Sequence, residues 1–366
     1  MKSLKGKIFT EEGYISGEIL IEGDIISDIK ILPEDEQVEC NERIRIIPGL
    51  VDIHSHGCMG MDTCETDADG IGKMADFEKS RGITSYCPTT MTYGKDKLIS
   101  VIDNIVQANH ANVKGIYLEG PFISYNKKGA QNGDYISKPD KDMLKELIDE
   151  AKGLAKVVAI APETEGAIEL ISDFQGQIKF SMAHTEADYD TARAAIEAGA
   201  SQITHLYNGM AAYNHRNPGL VGAAFDSDVW TELISDGIHI HDAVIRNTFK
   251  LAKDRVILIS DSMEATGLGD GEYALGGQKV YVKGRLATLE DGTIAGSAST
   301  LMDCLKYAIG IGVDERGAIN AATINPAKAI GIDTTVGSIV KGKKADILVM
   351  SEDFELIKVI QSEEDI

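Results

Sequence analysis

Two histidines stand two residues apart where an apolar segment ends, in the stretch PGLVDIHSHG from Pro48 to Gly57. Side chains alternate between the faces of a strand, so His54 and His56 would point the same way. Two neighbouring imidazoles on one face are typical of a metal site, although a pair of hydrated turn histidines produces the same pattern. The other polar residues of the chain have to decide between these interpretations.

Four further polar side chains each close an apolar segment. They are Glu119 in YLEGPF, His184 in AHTEAD, His205 in THLYNGM and Asp261 in ISDSMEATG. One such Asp is often a helix cap and one such His is often a core residue, but these explanations do not account for so many together. Imidazole and carboxylate groups are ligands of Zn²⁺ and similar transition metals, so we predict a metal site.

The segments that end in these residues belong to a repeated pattern in residues 49–261. Eight short apolar runs alternate there with longer segments of helical periodicity. The runs are GLVDIH, GITSYCPT, VKGIYLEG, KVVAIAPE, IKFSMAH, SQITHL, TELISDG and RVILISD, and the helical segments include ADGIGKMADFEKSRG, KDKLISVIDNIVQANHA, DKDMLKELIDEAKGLA, TEADYDTARAAIEAGA and DAVIRNTFKLAK. Eight such units predict an α/β fold, a (β/α)8 TIM-type barrel, whose strand ends would bring the polar residues to one rim.

Both chain ends alternate apolar and polar residues and have glycines at the turns, which is typical of β-strands. Neither end is long enough to build a hydrophobic core by itself. We therefore predict a small β-sandwich domain from residues 1–47 plus 335–366 and a barrel domain from residues 48–334. Residues 270–295 are also strand-like, and they would either extend the small domain or form a β insertion beside the barrel.

The 366 residues carry a net charge of −22. An acidic surface repels phosphate backbones and anionic lipids, so we expect neither nucleic acid nor a membrane among the partners. We find no apolar segment of signal-peptide length at the N-terminus and no apolar run of about 18 residues, so we expect a cytoplasmic protein. The five cysteines include no CxxC pair, which favours reduced thiols over a disulfide framework.

Nine motifs together are more specific than any one of them. In chain order they are PGLVDIHSHG, LEGPFIS, KKGAQNG, AHTEAD, THLYNGM, HRNPGLVGAA, SDGIHI, ISDSMEATG and AGSASTL. With this ordered set the sequence resembles the amidohydrolase superfamily and, within it, the family of N-acetylglucosamine-6-phosphate deacetylases. The resemblance covers nearly the whole chain, including its β-rich ends.

The resemblance implies a divalent metal centre with one or two ions per subunit, Zn²⁺ or Fe²⁺. It makes Glu119, His184 and His205 the core ligands. Because the chain keeps both His54 and His56, the resemblance favours a second ion there, with Glu119 as the bridge.

The resemblance also implies the reaction and its general base. Asp261 would take a proton from the attacking water and return it to the leaving amine. The substrate implied is N-acetyl-D-glucosamine 6-phosphate, and the products are glucosamine 6-phosphate and acetate, as in amino-sugar catabolism.

A further set of residues is implied to bind this small amino-sugar phosphate. The set is Ala130, Gln131, Asn208, Gly209, Arg216, His239, Ile294, Ala295 and Gly296. Within it, Arg216 and His239 would contact the phosphate. In the family that arginine can reach into the neighbouring subunit, so the resemblance implies a homodimer.

One departure from the family leaves alternatives open. The family usually has histidine where KKGAQNG has Gln131, and a glutamine amide donates hydrogen bonds but cannot become cationic. The chain could therefore deacetylate a related substrate such as N-acetylgalactosamine 6-phosphate, or be a sugar-phosphate-binding barrel with weakened catalysis. Dihydroorotase-like and hydantoinase-like amidohydrolases carry a bridging lysine after the fourth strand, whereas KVVAIAPE ends in Pro162 and Glu163.

Overall fold

The two ends of the chain share one sheet in the computed structural model, which describes residues 1–33 and 44–366. The strands of this sheet are β1 (Lys2–Thr10), β2 (Gly13–Glu22), β3 (Ile25–Ile31), β4 (Ile44–Pro48), β18 (Ile347–Ser351) and β19 (Leu356–Ile360). They lie in the order β19-β18-β4-β1-β2-β3. Strand β4 pairs in parallel with β1 and antiparallel with β18, so the predicted union of the chain ends in one small β unit is confirmed.

Eight parallel strands between these ends form the barrel, as predicted. They are β5 (Leu50–Ser55), β8 (Ile83–Thr90), β9 (Ile116–Leu118), β10 (Ala155–Ile160), β11 (Lys179–Met182), β12 (Gln202–Ile203), β13 (Trp230–Ile234) and β14 (Val256–Ile259). Backbone hydrogen bonds close the barrel between its last and first strands. The Asp261 N–H donates to the His54 carbonyl at 3.0 Å, and the His56 N–H donates to the Ser262 carbonyl at 2.8 Å. These bonds bring candidate site residues from opposite ends of the strand order together.

Helices surround the barrel. They are α1 (Ala68–Ser80), α2 (Lys95–Ala108), α3 (Lys141–Glu150), α4 (Ala167–Asp173), α5 (Tyr189–Ala198), α6 (Gly219–Phe225), α7 (Asp242–Ala252), α8 (Leu301–Gly310), α9 (Glu315–Ala321) and α10 (Ile324–Ala329). The five helical segments quoted from the sequence correspond to α1, α2, α3, α5 and α7. Each has apolar residues on one face, as in α2, where the buried residues are Leu98, Val101, Ile102 and Ile105. Within residues 1–33 and 44–366, none of the helices combines the length and apolar character needed to cross a bilayer.

One end of the barrel is closed by α10. The Asn325 side-chain amide donates to the carbonyl of Val256, the first residue of β14, at 2.8 Å. Ala327 and Ala329 pack with Val51 and Ile257, which lie early in their strands. The opposite end, where the strands finish, is therefore the end that can hold a site.

The strand-like segment after the barrel strands forms a separate sheet. Its strands are β15 (Gly271–Leu275), β16 (Gln278–Lys283) and β17 (Leu286–Thr288), in that order. This sheet does not pair with the sheet of the chain ends within the described residues. It contacts the loop that precedes Gln131, because the Gln278 side-chain amide donates to the Ala130 carbonyl. Two-residue strands β6 (Gly57–Cys58) and β7 (Met61–Asp62) form a small hairpin after β5.

The described cysteines are buried inside the barrel domain. Cys58, Cys64, Cys87 and Cys304 carry free thiols, and Cys40 lies outside the described residues. Burial raises the pKa of all four described thiols, so they remain protonated at neutral pH.

Candidate metal centre and substrate cavity

The predicted ligands meet at the carboxyl ends of five barrel strands. They are His54 and His56 at the end of β5, Glu119 after β9, His184 after β11, His205 after β12 and Asp261 after β14. Three of them have left-handed backbone, with φ of +44° at His184, +29° at His205 and +48° at Asp261. Such conformations cost about 1 kcal/mol or more outside glycine and persist where the surrounding structure enforces them. The fold therefore holds these side chains in conformations that an isolated loop would avoid.

Glu119 joins two histidines in a first cluster. Its Oε1 lies 3.0 Å from His205 Nε2 and 3.1 Å from His184 Nε2, and the two nitrogens are 3.2 Å apart. All three residues are buried. One carboxylate oxygen and two imidazole nitrogens thus converge on one point.

A second cluster lies directly beside the first. His54 Nε2 and His56 Nε2 are 3.3 Å apart, and Asp261 Oδ1 lies 3.6 Å from the former and 3.3 Å from the latter. Glu119 belongs to this cluster as well, with Oε2 at 3.2 Å from His56 Nε2 and Oε1 at 3.6 Å from His54 Nε2. The same carboxylate therefore faces all four histidines.

The far nitrogens of three of these imidazoles are engaged elsewhere. His184 Nδ1 donates to the Lys127 carbonyl at 2.8 Å, and His56 Nδ1 donates to the Thr89 carbonyl at 3.3 Å. His54 Nδ1 donates to Glu232 Oε2 at 3.0 Å. A carbonyl oxygen only accepts, so these bonds place the hydrogen on Nδ1 and leave the Nε2 lone pair facing the cluster.

The electrostatics of the clusters indicate that a cation belongs between them. Burial alone would lower the pKa of His54 and His56, but the Glu119 and Asp261 carboxylates, with Glu232 at His54, raise these values to about 9 and about 10. Burial alone would raise the pKa of Glu119, but its histidine neighbours hold it well below its usual range. Without a metal these carboxylates favour a proton on each of the two imidazoles, and a divalent ion would take the place of the Nε2 protons. Buried carboxylates and convergent Nε2 atoms are a donor set that fits such an ion.

A cavity of about 300 Å³ opens beside the clusters. His56, Glu119, His184, His205 and Asp261 border it. So do seven of the nine predicted substrate residues, namely Ala130, Gln131, Asn208, Gly209, His239, Ile294 and Gly296. The structure therefore brings these candidates together with the metal-ligand candidates.

The other two predicted substrate residues lie elsewhere. Ala295 is fully buried and its backbone N–H donates to the Ala287 carbonyl at 3.1 Å. Arg216 is exposed and borders a separate surface cavity with Asp188 and Tyr189. The residues that line the 300 Å³ cavity include no lysine or arginine in the described part of the chain.

Gln131 has a defined orientation in the cavity wall. Its Oε1 accepts a hydrogen bond from the Thr92 N–H at 2.7 Å, so its amide nitrogen faces the opposite way. That nitrogen donates to Glu119 Oε2 at 2.5 Å. The same nitrogen also donates to the sulfur of Met91 at 3.6 Å. A thioether sulfur is a weak acceptor, so a ligand oxygen can compete for this second hydrogen while the first remains on Glu119.

His239 reaches the cavity with its Nδ1 already bound. Asp236 accepts that hydrogen bond at 2.8 Å and also accepts bonds from the backbone N–H groups of Ile238 and His239. Burial lowers the pKa of His239, but the hydrogen bond and charge of Asp236 outweigh it and raise the pKa above its ordinary value. Asp236 therefore favours the cationic form of the His239 side chain, which borders the cavity.

Sequence reasoning missed several residues of the site. Met91 and Leu275 line the cavity, and Asp236 and Glu232 hold two of its histidines. Asp236 was recognisable because it stands three residues before His239 within one turn motif. Glu232 lies inside the apolar strand β13, and Met91 and Leu275 resemble ordinary core residues. The sequence therefore carried no signal that distinguished these three residues.

The chain is similar to known deacetylases over most of its length. Residues 45–362 match the model of the amidohydrolase family. The N-acetylglucosamine-6-phosphate deacetylase of Bacillus subtilis is 38% identical over 341 residues, which cover 90% of this chain and 86% of that protein. The N-acetylgalactosamine-6-phosphate deacetylase of Escherichia coli O157:H7 is 33% identical over 355 residues, which cover 94% of this chain and 93% of that protein.

A solved structure has the same fold. It is a mutant N-acetyl-D-glucosamine-6-phosphate deacetylase from Mycobacterium smegmatis in complex with N-acetyl-D-glucosamine-6-phosphate. It is 29% identical to this chain and superposes on it with a TM-score of 0.92. The match covers 98% of this chain and 97% of the solved chain. The similarity therefore extends through both the barrel and the sheet of the chain ends.

Proposed function

The chain belongs to the amidohydrolase family, and on this premise we propose that it hydrolyses the N-acetyl group of N-acetyl-D-glucosamine 6-phosphate. The products are D-glucosamine 6-phosphate and acetate, as expected for a step in amino-sugar catabolism. The observation that carries the proposal is the convergence of four histidines on Glu119 beside a cavity that also contains Asp261 and His239. Curated relatives that match this chain over most of its length are deacetylases of N-acetylated hexosamine 6-phosphates.

The metal centre has room for one or two divalent ions. Glu119, His184 and His205 would hold one ion, and His54 and His56 would hold another with Glu119 as a shared ligand. Nitrogen and oxygen donors suit both Zn²⁺ and Fe²⁺, and metal supply in the cell selects between them. A bound divalent cation supplies Lewis acidity, which polarises the acetamide carbonyl and makes water nucleophilic at neutral pH.

Asp261 is the proposed proton carrier. Its carboxylate accepts a proton from water as the water oxygen bonds to the acetamide carbon. Asp261 then donates that proton to the amine nitrogen as the carbon–nitrogen bond breaks. Burial raises the pKa of Asp261, but hydrogen bonding and charge from His56 and the charge of His54 outweigh this and leave it below its ordinary value, so the group starts as a base.

Gln131 is proposed to stand in for the family histidine at the acetamide carbonyl. Its second amide hydrogen, which the Met91 sulfur accepts weakly, can turn to the carbonyl oxygen while the first remains on Glu119. A neutral amide stabilises a developing oxyanion less than a cationic imidazole does, so this contribution is smaller than that of histidine.

The phosphate requires positive charge. Among the described residues that line the cavity outside the two metal clusters, His239 is the one that can become cationic. Arg216 is exposed outside the cavity of its own chain. We therefore propose a homodimer in which Arg216 of one protomer pairs with the phosphate bound by the other. A guanidinium suits this role because its planar fork binds phosphate oxygens in pairs.

N-acetyl-D-galactosamine 6-phosphate is a second candidate substrate. The supporting observation is the relative from Escherichia coli O157:H7, whose name specifies the galacto sugar and which matches 94% of this chain. The two sugars differ at a single ring hydroxyl, so they are compatible with the same metal centre and the same proton carrier.

Acetate release tests the proposal directly. Metal-free protein is reloaded with Zn²⁺ or Fe²⁺ and mixed with the gluco or the galacto substrate, and acetate is measured against time. We expect faster release from the gluco sugar and loss of release when a chelator is added. Preference for the galacto sugar would select the second candidate, and no release from either sugar by metal-loaded protein would contradict the deacetylase proposal.

A further inference from the structure

Glu232 is a buried carboxylate that contacts one histidine of each metal cluster. It lies on β13 and is fully shielded from solvent. Its Oε2 accepts from His54 Nδ1 at 3.0 Å and from the His205 backbone N–H at 3.3 Å. Its Oε1 accepts from Gln202 Nε2 at 2.5 Å. One side chain thus connects a ligand of each cluster.

Among the imidazoles of the two clusters, His54 has an unusual partner. The described structure gives His56 and His184 neutral backbone carbonyls at Nδ1 and gives His205 Nδ1 no hydrogen-bond partner. Among these histidines in the described structure, only His54 donates to a carboxylate through Nδ1. A carboxylate acceptor fixes the tautomer of an imidazole and makes its other nitrogen a stronger donor to a cation.

Packing alone does not explain a carboxylate at this position. Burying a charge costs more than burying a neutral acceptor. A glutamine at this position would place an amide oxygen where Glu232 has Oε2, and that oxygen would accept the same two bonds. Gln202 would adapt to such a change, because its own Oε1 has no hydrogen-bond partner in the described structure and can turn toward a new donor. The negative charge is therefore the feature of Glu232 that calls for a function.

We propose that Glu232 is a positioning residue that acts through His54 and sets the affinity of the cation site formed with His56. The proposal rests on the metal centre of the proposed function. It assigns the charge of Glu232 to the second cation, because His54 and His56 belong to the cluster beside Asp261. The ion held by Glu119, His184 and His205 depends on Glu232 only through the backbone of His205.

Two substitutions separate the charge from the hydrogen bonds. Glu232→Gln keeps the size and an acceptor oxygen but removes the charge, and Glu232→Leu removes both. Glu78→Gln is the matched control, since Glu78 is also a buried carboxylate of the barrel domain but contacts none of the four histidines.

Metal binding is the measurement, with no need for turnover. Full-length metal-free protein is dialysed against buffered free Zn²⁺, and the ions per chain are counted by elemental analysis. We expect two ions in the wild type and in Glu78→Gln. In Glu232→Gln we expect a loss of affinity of about 10- to 100-fold for one ion, the one assigned to His54 and His56, and little change for the other. Glu232→Leu should lose the ion assigned to His54 and His56 altogether. In protein loaded with Co²⁺ in place of Zn²⁺, only the absorption bands of that site should change.

Three outcomes would overturn the proposal. Glu232→Gln could bind both ions with wild-type affinity, or it could lose both ions equally together with the thermal stability of the metal-free protein. The wild type could also bind a single ion at every Zn²⁺ concentration. These outcomes are independent of acetate release, so a failure of the deacetylase proposal is recognised separately.

Discussion

Asp261 combines a strained backbone, contact with two imidazoles and a position on the cavity wall. A residue that merely capped a helix would need none of these features. The same side chain lies within ligand distance of the second cluster, so its substitution must be examined for metal binding as well as for turnover.

Asp261→Asn should lower kcat by about 10²- to 10⁴-fold, the usual range for loss of a general base. The amide cannot accept the proton from water, whereas the remaining ligands still hold metal. Turnover is measured together with the metal content of the same sample. Near-normal kcat in a variant that retains its metal would show that another group carries the proton.

Asp236→Asn should alter how substrate binding depends on pH. Asp236 raises the pKa of His239, and the charge of Asp261 acts in the same direction. Without the Asp236 carboxylate, His239 loses its proton at a lower pH, and the cation that faces the phosphate is lost. We expect the KM of the variant to exceed that of the wild type by up to roughly tenfold, over the pH range in which His239 is cationic in the wild type and neutral in the variant.

Steady-state kinetics between pH 6 and pH 8 test this expectation. N-acetylglucosamine without phosphate is the control, because its KM should change in the same way for both proteins. If the KM of the wild type and that of Asp236→Asn for the phosphorylated sugar changed with pH in parallel, a cationic role for His239 would be contradicted.

Helix α1 illustrates how one element packs on the barrel at an energetic cost. Its apolar face includes Ile71, Met74 and Ala75, but Glu78 is buried on the same helix. The Cys58 thiol, a weak donor, lies beside this carboxyl, and neither carboxyl oxygen of Glu78 has a hydrogen-bond partner of normal geometry in the described structure. Burial, and then the charge of Asp52, raise its pKa well above the ordinary value, so the folded protein holds this group protonated.

Glu78→Gln should stabilise the fold, and more so at high pH. In the unfolded chain Glu78 ionises above about pH 4.3, whereas in the folded protein it keeps its proton. Because of this group, the free energy of unfolding of the wild type falls by about 1.4 kcal/mol per pH unit until the pH reaches the folded pKa of Glu78. The glutamine variant has no such dependence. We expect the advantage of the glutamine variant to grow between pH 5 and pH 8, by at most about 4 kcal/mol, which is three pH units at that slope.

Urea unfolding of the metal-saturated proteins at both pH values measures the difference. Glu197→Gln on α5 is the control, because Glu197 is exposed and its neutralisation should change stability by less than about 0.5 kcal/mol. Equal gains at pH 5 and pH 8 would mean that the Glu78 carboxyl does not titrate differently on folding.

The whole molecule depends on the attachment of the chain-end sheet to the barrel. Arg45 on β4 forms an ion pair with Glu315 at the start of α9. Its guanidinium also lies 4.7 Å from the ring centre of Phe354 and 5.6 Å from that of Tyr14. This arginine therefore connects both chain ends with a helix of the barrel domain.

A double-mutant cycle tests this attachment. Arg45→Met keeps the apolar stem and should cost about 1–2 kcal/mol, through the lost ion pair and the lost contact with the rings. Glu315→Gln should cost less, and the coupling between the two should be about 0.5–1 kcal/mol because both groups are partly exposed. Urea unfolding gives the four free energies, and additive effects would show that the ion pair contributes nothing to the attachment.

The sequence by itself determined the elements and the composition of the site. Apolar runs and helical periodicity are local signals, and they were sufficient to predict eight barrel strands, five of the helices and the pairing of the chain ends. Parallel strands of one barrel finish on the same side. The polar residues that close five of these runs meet at that side in the structure, and their types indicated a metal.

Only the tertiary structure decided which atoms meet. The contacts of Gln131 with Glu119, of Glu232 with His54 and of Asp236 with His239 depend on strand register and side-chain orientation across the barrel. Arg216 was a substrate candidate by sequence, but the fold places it outside the cavity of its own chain. Hydrogen bonds act over about 3 Å, whereas a sequence pattern positions a side chain only to within the face of its strand or helix.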